Sequence, residues 1–159
     1  MIESSLTQFL IVQAKADTVR HSGRSLFDHL VGTHDLLQRW GNREDVCNAG
    51  LFHSIYGTAR FHYKVWPIEQ RDVIRGLIGD YAEKLACLFC IMNRPAAFFE
   101  RTDAWLVPQM LRDLHEIETA NLLEQGSKGR WLTRLRASDI SDAAKAAIDA
   151  HVAAPSLKR

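Results

Sequence analysis

Charge of one sign is missing from this sequence: 20 Lys and Arg stand against 19 Asp and Glu, a formal net charge of +1. No global field therefore draws the chain to nucleic acid or to an anionic membrane surface, and the basic residues are scattered among acidic ones. Neither nucleic acid nor membrane is expected as a partner. Long apolar runs are also lacking. None approaches the roughly 20 residues that cross a bilayer, and MIESSLTQFLIVQAKAD has no basic start before its short apolar stretch. That segment reads as an amphipathic helix rather than a secretory signal. Cysteine is scarce: Cys47, Cys87 and Cys90 are an odd number in apolar surroundings, which excludes a disulfide framework. Cys87 and Cys90 form a C-x-x-C, but on a helix that spacing puts both thiols on one apolar face. No second pair completes a zinc set, so a buried structural role is expected. A reducing, cytoplasmic setting follows.

What is there is helical periodicity. The 159 residues, 47% hydrophobic and 25% charged, suit one domain with a full core. Strand alternation is rare, so the expected fold class is all-α, one multi-helix domain over 1–154 with a flexible tail at 155–159. The pattern predicts helices over Ser4–Ala16 and Leu26–Trp40, with a loop holding Ser22-Gly23 between them. Gly41 ends the second, and Asn42 is the expected N-cap of a third that carries Val46, Ala49, Gly50 and His53 on one face. Gly50 would let a neighbouring helix come close. Residues 56–66 are irregular and aromatic. Further helices are predicted from Pro67 to Ile78, Asp80 to Met92, Ala96 to Arg101, Pro108 to Gln125, Trp131 to Arg136 and Asp139 to Ala153.

Seven histidines are present, and two have a suggestive placement. His29 lies one turn into the second helix and His53 at the end of the third, 24 residues apart with a tight turn between. An antiparallel helical hairpin brings those two ends together, so both imidazoles can meet over one point. A lone histidine on an apolar face is ordinarily a hydrogen-bonded core residue; a facing pair strengthens the case for a metal ligand without deciding it.

The stretch SGRSLFDHLVGTHDLLQRWGNREDVCNAGLFHS resembles the opening of an HD-superfamily domain, and looks closest to the guanosine tetraphosphate hydrolase domain of the RelA/SpoT type. Ser22-Gly23 stands before His29 as a Ser-Gly loop precedes the first histidine there. Ala49-Gly50-Leu51-Phe52 leads to His53 as an apolar run leads to the second, and IGDYAEKLACLF resembles a later helix of those domains. The resemblance implies an HD-like helical domain with His29 and His53 as metal ligands. It also implies a carboxylate after the second histidine and a distant Asp. Here those positions hold Ser54 and, in HEIETANLLEQ, Asn121, so Ser54 and Asn121 are the candidate catalytic partners. The acidic pair that follows in the hydrolases is replaced by Tyr56-Gly57-Thr58.

Two imidazoles, a hydroxyl and an amide carry no formal negative charge, so affinity for Mn²⁺ or Mg²⁺ should fall, while Zn²⁺ or Fe²⁺ is still accommodated if another carboxylate moves in. Asp28, Asp80 and Glu118 are the carboxylates considered for that part, each otherwise read as a solvated charge. His21 could stack on a base, Arg24 and Lys64 could meet a phosphate, and Tyr56, with Phe61, Tyr63 and Trp66, could line a pocket; the bland reading of each is surface charge or packing. Three readings stay open. One is a metal-dependent HD-type hydrolase for a small anionic or nucleotide-like substrate, using Mn, Zn or Fe. A metal-free HD-like domain that binds a small molecule or partner stands equal to it. The third is an iron-dependent HD-fold oxygenase that recruits His62 or His115. A homodimer is compatible with the pattern and specified by nothing in it.

Overall fold

Ser25 and Gly41 bound the helix on which the site depends. The Ser25 hydroxyl accepts the Asp28 amide and starts α2, Leu26–Arg39, and Gly41 turns the chain out with a positive φ. The structure, a computed structural model, describes residues 2–100 and 106–154. The anticipated flexible tail and Arg101 lie outside the described residues. Within them the protein is a single all-α domain with one minor two-stranded ribbon. No helix there is long and apolar enough to cross a membrane.

The N-terminal helix is shorter than its periodicity suggests. α1 covers Ser4–Gln8 and widens into a π-helical turn, Phe9–Gln13. That turn buries Phe9 and Leu10 and leaves Ile11 and Val12 exposed. The loop before α2 contains a ribbon missed in the sequence: β1, Arg20–His21, pairs antiparallel with β2, Arg24–Ser25. Ser22 and Gly23, both with positive φ, make the tight turn that such short hairpins need.

α3, Glu44–Phe52, returns antiparallel to α2, but Asn42 does not cap it. Arg43 holds the cap position without a side-chain capping bond, and the Asn42 amide donates instead to the Leu37 carbonyl and the Glu116 carboxylate. Gly50 does allow the close approach: a Cβ there would overlap the Leu37 side chain. A 3₁₀ turn at Ile68–Gln70 precedes α4, Arg71–Ile78, and α5 spans Asp80–Ile91. Another 3₁₀ turn, Ala96–Phe98, leads towards α6, Pro108–Glu124. α7, Arg130–Arg136, and α8, Asp142–Ala153, finish the described chain. α8 begins at Asp142 rather than Asp139 because the Ser141 hydroxyl accepts the Ala144 amide.

α2 packs on both α3 and α6, and α3 on α5. The main core holds Leu26, Leu30, Leu37, Phe52, Phe89 and Ile117. A second apolar cluster joins Leu122 of α6 to Leu132, Leu135 and Ile148 of the last two helices. The three central helices thus converge at the first turn of α2, the end of α3 and the last two turns of α6.

Candidate functional site

His29 and His53 meet where the hairpin expectation puts them. Both are wholly buried, and their Nε2 atoms are 3.1 Å apart. The outer nitrogens face acceptors. His53 Nδ1 lies 2.6 Å from the Gly50 carbonyl, which can only accept, so that nitrogen carries the proton. His29 Nδ1 contacts a carboxylate oxygen of Glu124. Burial lowers the pKa of both rings: His53 falls to about 3, and His29 is lowered further, with His53, His21 and Arg24 adding to the effect. Burial thus disfavours a charged ring at either position, and the proton on His53 Nδ1 leaves its Nε2 a bare lone pair.

Asn121 supplies a third acceptor. Its Oδ1 is 3.2 Å from His53 Nε2 and receives Gln125 Nε2 at 2.7 Å, while its Nδ2 points at Glu118 Oε2, 3.5 Å away. The amide is therefore turned with its oxygen towards the histidines. Two ring nitrogens and an amide oxygen converge, with His53 Nε2 within reach of both of the others. Metal–nitrogen bonds of about 2.1 Å place neighbouring ligands ~3–3.4 Å apart, so the spacing fits a borderline divalent ion. Among the described residues no three His, Cys, Asp or Glu side chains gather as a ligand group; the third donor here is an amide. Hard cations, which want anionic oxygen, fit this neutral set poorly.

A cleft of about 220 Å³ opens beside Asn121, with Arg20, His21, Thr58, Arg60, Phe61 and Arg94 on its walls. His21 stacks on His29 with ring centroids 4.3 Å apart and meets Phe61 edge-on. Arg94 is 7% exposed and reaches the fully buried Glu118 at 2.8 and 3.2 Å. Its guanidinium lies over the Phe89 ring, 4.0 Å from the centroid, and that ring packs on His53.

The other candidates separate. Ser54 is buried next in sequence to His53, but no hydrogen bond among the described residues links its hydroxyl to the cluster. Arg24 sits at the site's edge, paired with Glu124. Tyr56 and Lys64 face a neighbouring cleft of about 320 Å³ that shares only Thr58 with the first. The Tyr56 hydroxyl donates to Glu83 at 2.9 Å, and burial with that carboxylate raises its pKa. His62 lines the same second cleft. His115 is committed to the Phe98 carbonyl and stacked on Phe99. Asp28 and Asp80 serve a helix cap and an exposed pair with Arg75. Glu118 is not the solvated charge its sequence suggested: it is buried, bound by Arg94 and touching Asn121. The three thiols are buried and free, and Cys90 donates to the His53 carbonyl at 3.2 Å.

Sequence reasoning passed over Glu124, Arg94, Arg20 and Arg60. For Glu124 a signal existed. Glu118, Asn121 and Glu124 recur every three residues along one helix, which places them on one face, so a carboxylate beside Asn121 was readable. Nothing in the sequence separated Arg94 from other arginines.

A family model described as Domain of unknown function (DUF6817) matches residues 10–94, just over half of the chain. The matched segment contains both histidines and Arg94; Glu118, Asn121 and Glu124 lie beyond it. No curated protein and no solved structure matches the chain.

Proposed function

We propose that this chain, which belongs to the DUF6817 family, is a divergent HD-type metal-dependent enzyme for a small oxyanion-bearing substrate. One observation carries the reading: His53 Nε2, left bare because Nδ1 donates to Gly50, lies 3.1 Å from His29 Nε2 and 3.2 Å from Asn121 Oδ1, and the Glu124 carboxylate at His29 Nδ1 favours a bare Nε2 on that ring as well. Three acceptors left facing one another are costly unless a cation or donor sits among them. Zn²⁺ or Fe²⁺ would be held by these three groups and preferred over Mn²⁺. Such an ion would supply Lewis acidity and a water acidified for attack.

The protein's own contribution is orientation and charge. Gly50 and Glu124 hold the imidazoles with Nε2 inward, and Glu118 and Gln125 hold the amide. Arg20, Arg60 and Arg94 give the cleft a positive wall that suits an anionic substrate. Arg94 Nε and His21 Nδ1, both buried, have no hydrogen-bond partner among the described residues, and both residues line that cleft. Its volume is below the usual range for drug-sized ligands, ~300–1,000 Å³, which favours a compact substrate over a whole nucleotide.

The neutral ligand set also favours a second reading, a metal-free domain that binds the same anion through the arginines. An iron oxygenase draws no support from His62 or His115, which serve other surroundings. Titration calorimetry with Zn²⁺, anaerobic Fe²⁺ and Mn²⁺ tests the reading. One site per chain, tightest for Zn²⁺ or Fe²⁺, is expected, and inorganic phosphate should raise the melting temperature of the loaded protein less in Arg60→Ala. No uptake of any ion, with phosphate still stabilising, would replace the enzyme with the binding domain.

A further inference from the structure

Among the buried charges, Glu124 is the one whose placement required a gap in a neighbouring helix. It ends α6, and its side chain is only 5% exposed. One oxygen contacts His29 Nδ1 and the other pairs with Arg24. Arg24 also donates to the Glu124 main-chain carbonyl at 3.1 Å. The carboxylate reaches His29 across Gly32, one turn further along α2. A Cβ on Gly32 would lie 2.7 Å from Glu124 Oε1 and 3.0 Å from its Cγ. A glycine inside an exposed or half-buried helix costs about 1 kcal/mol against alanine, so its presence here marks the space it leaves.

We infer that Glu124 is a positioning residue that fixes His29 in the Nδ1–H tautomer, seated by Arg24 and admitted by Gly32. The carboxylate accepts a hydrogen bond from Nδ1–H and so leaves Nε2 bare towards His53 and Asn121. Carboxylates behind ligating imidazoles act this way, and losing one typically weakens metal binding 10–100-fold. Arg24 stands on β2, in the same ribbon whose Arg20 and His21 line the cleft. The tautomer is thereby tied to the element that meets substrate. The inference about metal affinity rests on the proposed metal site; the inference about the tautomer does not.

Long-range ¹H–¹⁵N correlation spectra of histidine side chains in the metal-free protein read the tautomer directly. Wild type should show His29 protonated at Nδ1 and bare at Nε2. Gly32→Ala displaces the carboxylate without altering any contacting group, and Glu124→Ala removes it. Both should move the His29 proton to Nε2, where it points at His53, while His53 keeps its Nδ1 proton on Gly50. Zn²⁺ affinity should fall 10–100-fold in both variants. His29 protonated at Nε2 in wild type would overturn the inference without any variant, as would an unchanged tautomer in both variants. A tautomer that switches as expected in a protein that takes up no metal leaves the inference standing and overturns the metal reading instead.

Discussion

Removing the charge of Arg94 should be among the most damaging single changes in this protein. Arg94 is 7% exposed and Glu118 is fully buried, so Arg94→Met keeps most of the apolar stem but strands a carboxylate whose other partner is the Asn121 amide. A buried charge that loses its partner costs about 3–5 kcal/mol, and the lost cation–π contact with Phe89 about 0.5–2 kcal/mol. A loss near 4 kcal/mol is a large part of the ~5–15 kcal/mol that holds a domain folded, and at about 2–4 °C per kcal/mol it lowers the melting temperature by roughly 8–16 °C. Burial already raises the Glu118 pKa, and without Arg94 it rises further. The penalty is therefore full above that raised pKa and shrinks as pH falls through it, because the folded state then holds the proton. Urea unfolding of Arg94→Met at pH 7 and pH 5, with Arg94→Met/Glu118→Gln beside it, measures all of this. The double variant should recover about 2 kcal/mol or more of the loss. A single-variant loss under ~1 kcal/mol, or a Glu118→Gln change that adds to the damage, would refute the reasoning.

Three further outcomes follow from packing and burial. Gly50→Ala should cost about 1–3 kcal/mol in urea unfolding, because its methyl would overlap Leu37 at the α2–α3 contact; an unchanged midpoint would contradict the close approach. Burial lowers the pKa of His21, His29, His34, His53 and His115 from the ordinary 6.5. The unfolded chain therefore binds protons the folded one refuses: their stabilisation is complete above pH 6.5 and is lost below it, by about 1.4 kcal/mol per pH unit for each histidine still neutral in the folded state. Unfolding midpoints at pH 7.5, 6.5 and 5.5 should fall in that order, and a flat profile would count against it. Cys90 is buried, bonded to the His53 carbonyl and pushed up to about 12, so a thiol reagent at pH 7 should modify it no faster than the protein unfolds.

The α2–α3 hairpin was legible because its signals are local. Leu26, Leu30 and Leu37 keep helical spacing, Gly41 stops the helix, and the short turn fixes which ends meet, so His29 and His53 could be set face to face from spacing alone. Asn121 needed the long α6 register, which a clean apolar face also supplied. The remainder was settled by contacts far apart in sequence. Asn42 looks like a cap, yet its amide is claimed by Glu116, 74 residues on. Glu118 looks solvated until Arg94 folds over it. Tyr56 and Lys64 stand close to His53 in the chain, but the turn at residues 53–56 carries them to another cleft. Glu124 shows the same limit from the other side: its partner His29 is 95 residues away, and only the gap at Gly32 marks the path between them.

Elemental analysis of protein purified without chelator tests the metal site most directly, with wild type, His53→Ala and the exposed His62→Ala side by side. About one zinc or iron per chain is expected in wild type and in His62→Ala, and none in His53→Ala. No metal in wild type, even after incubation with Zn²⁺, Fe²⁺ and Mn²⁺, or metal retained in His53→Ala, would contradict the proposed metal site.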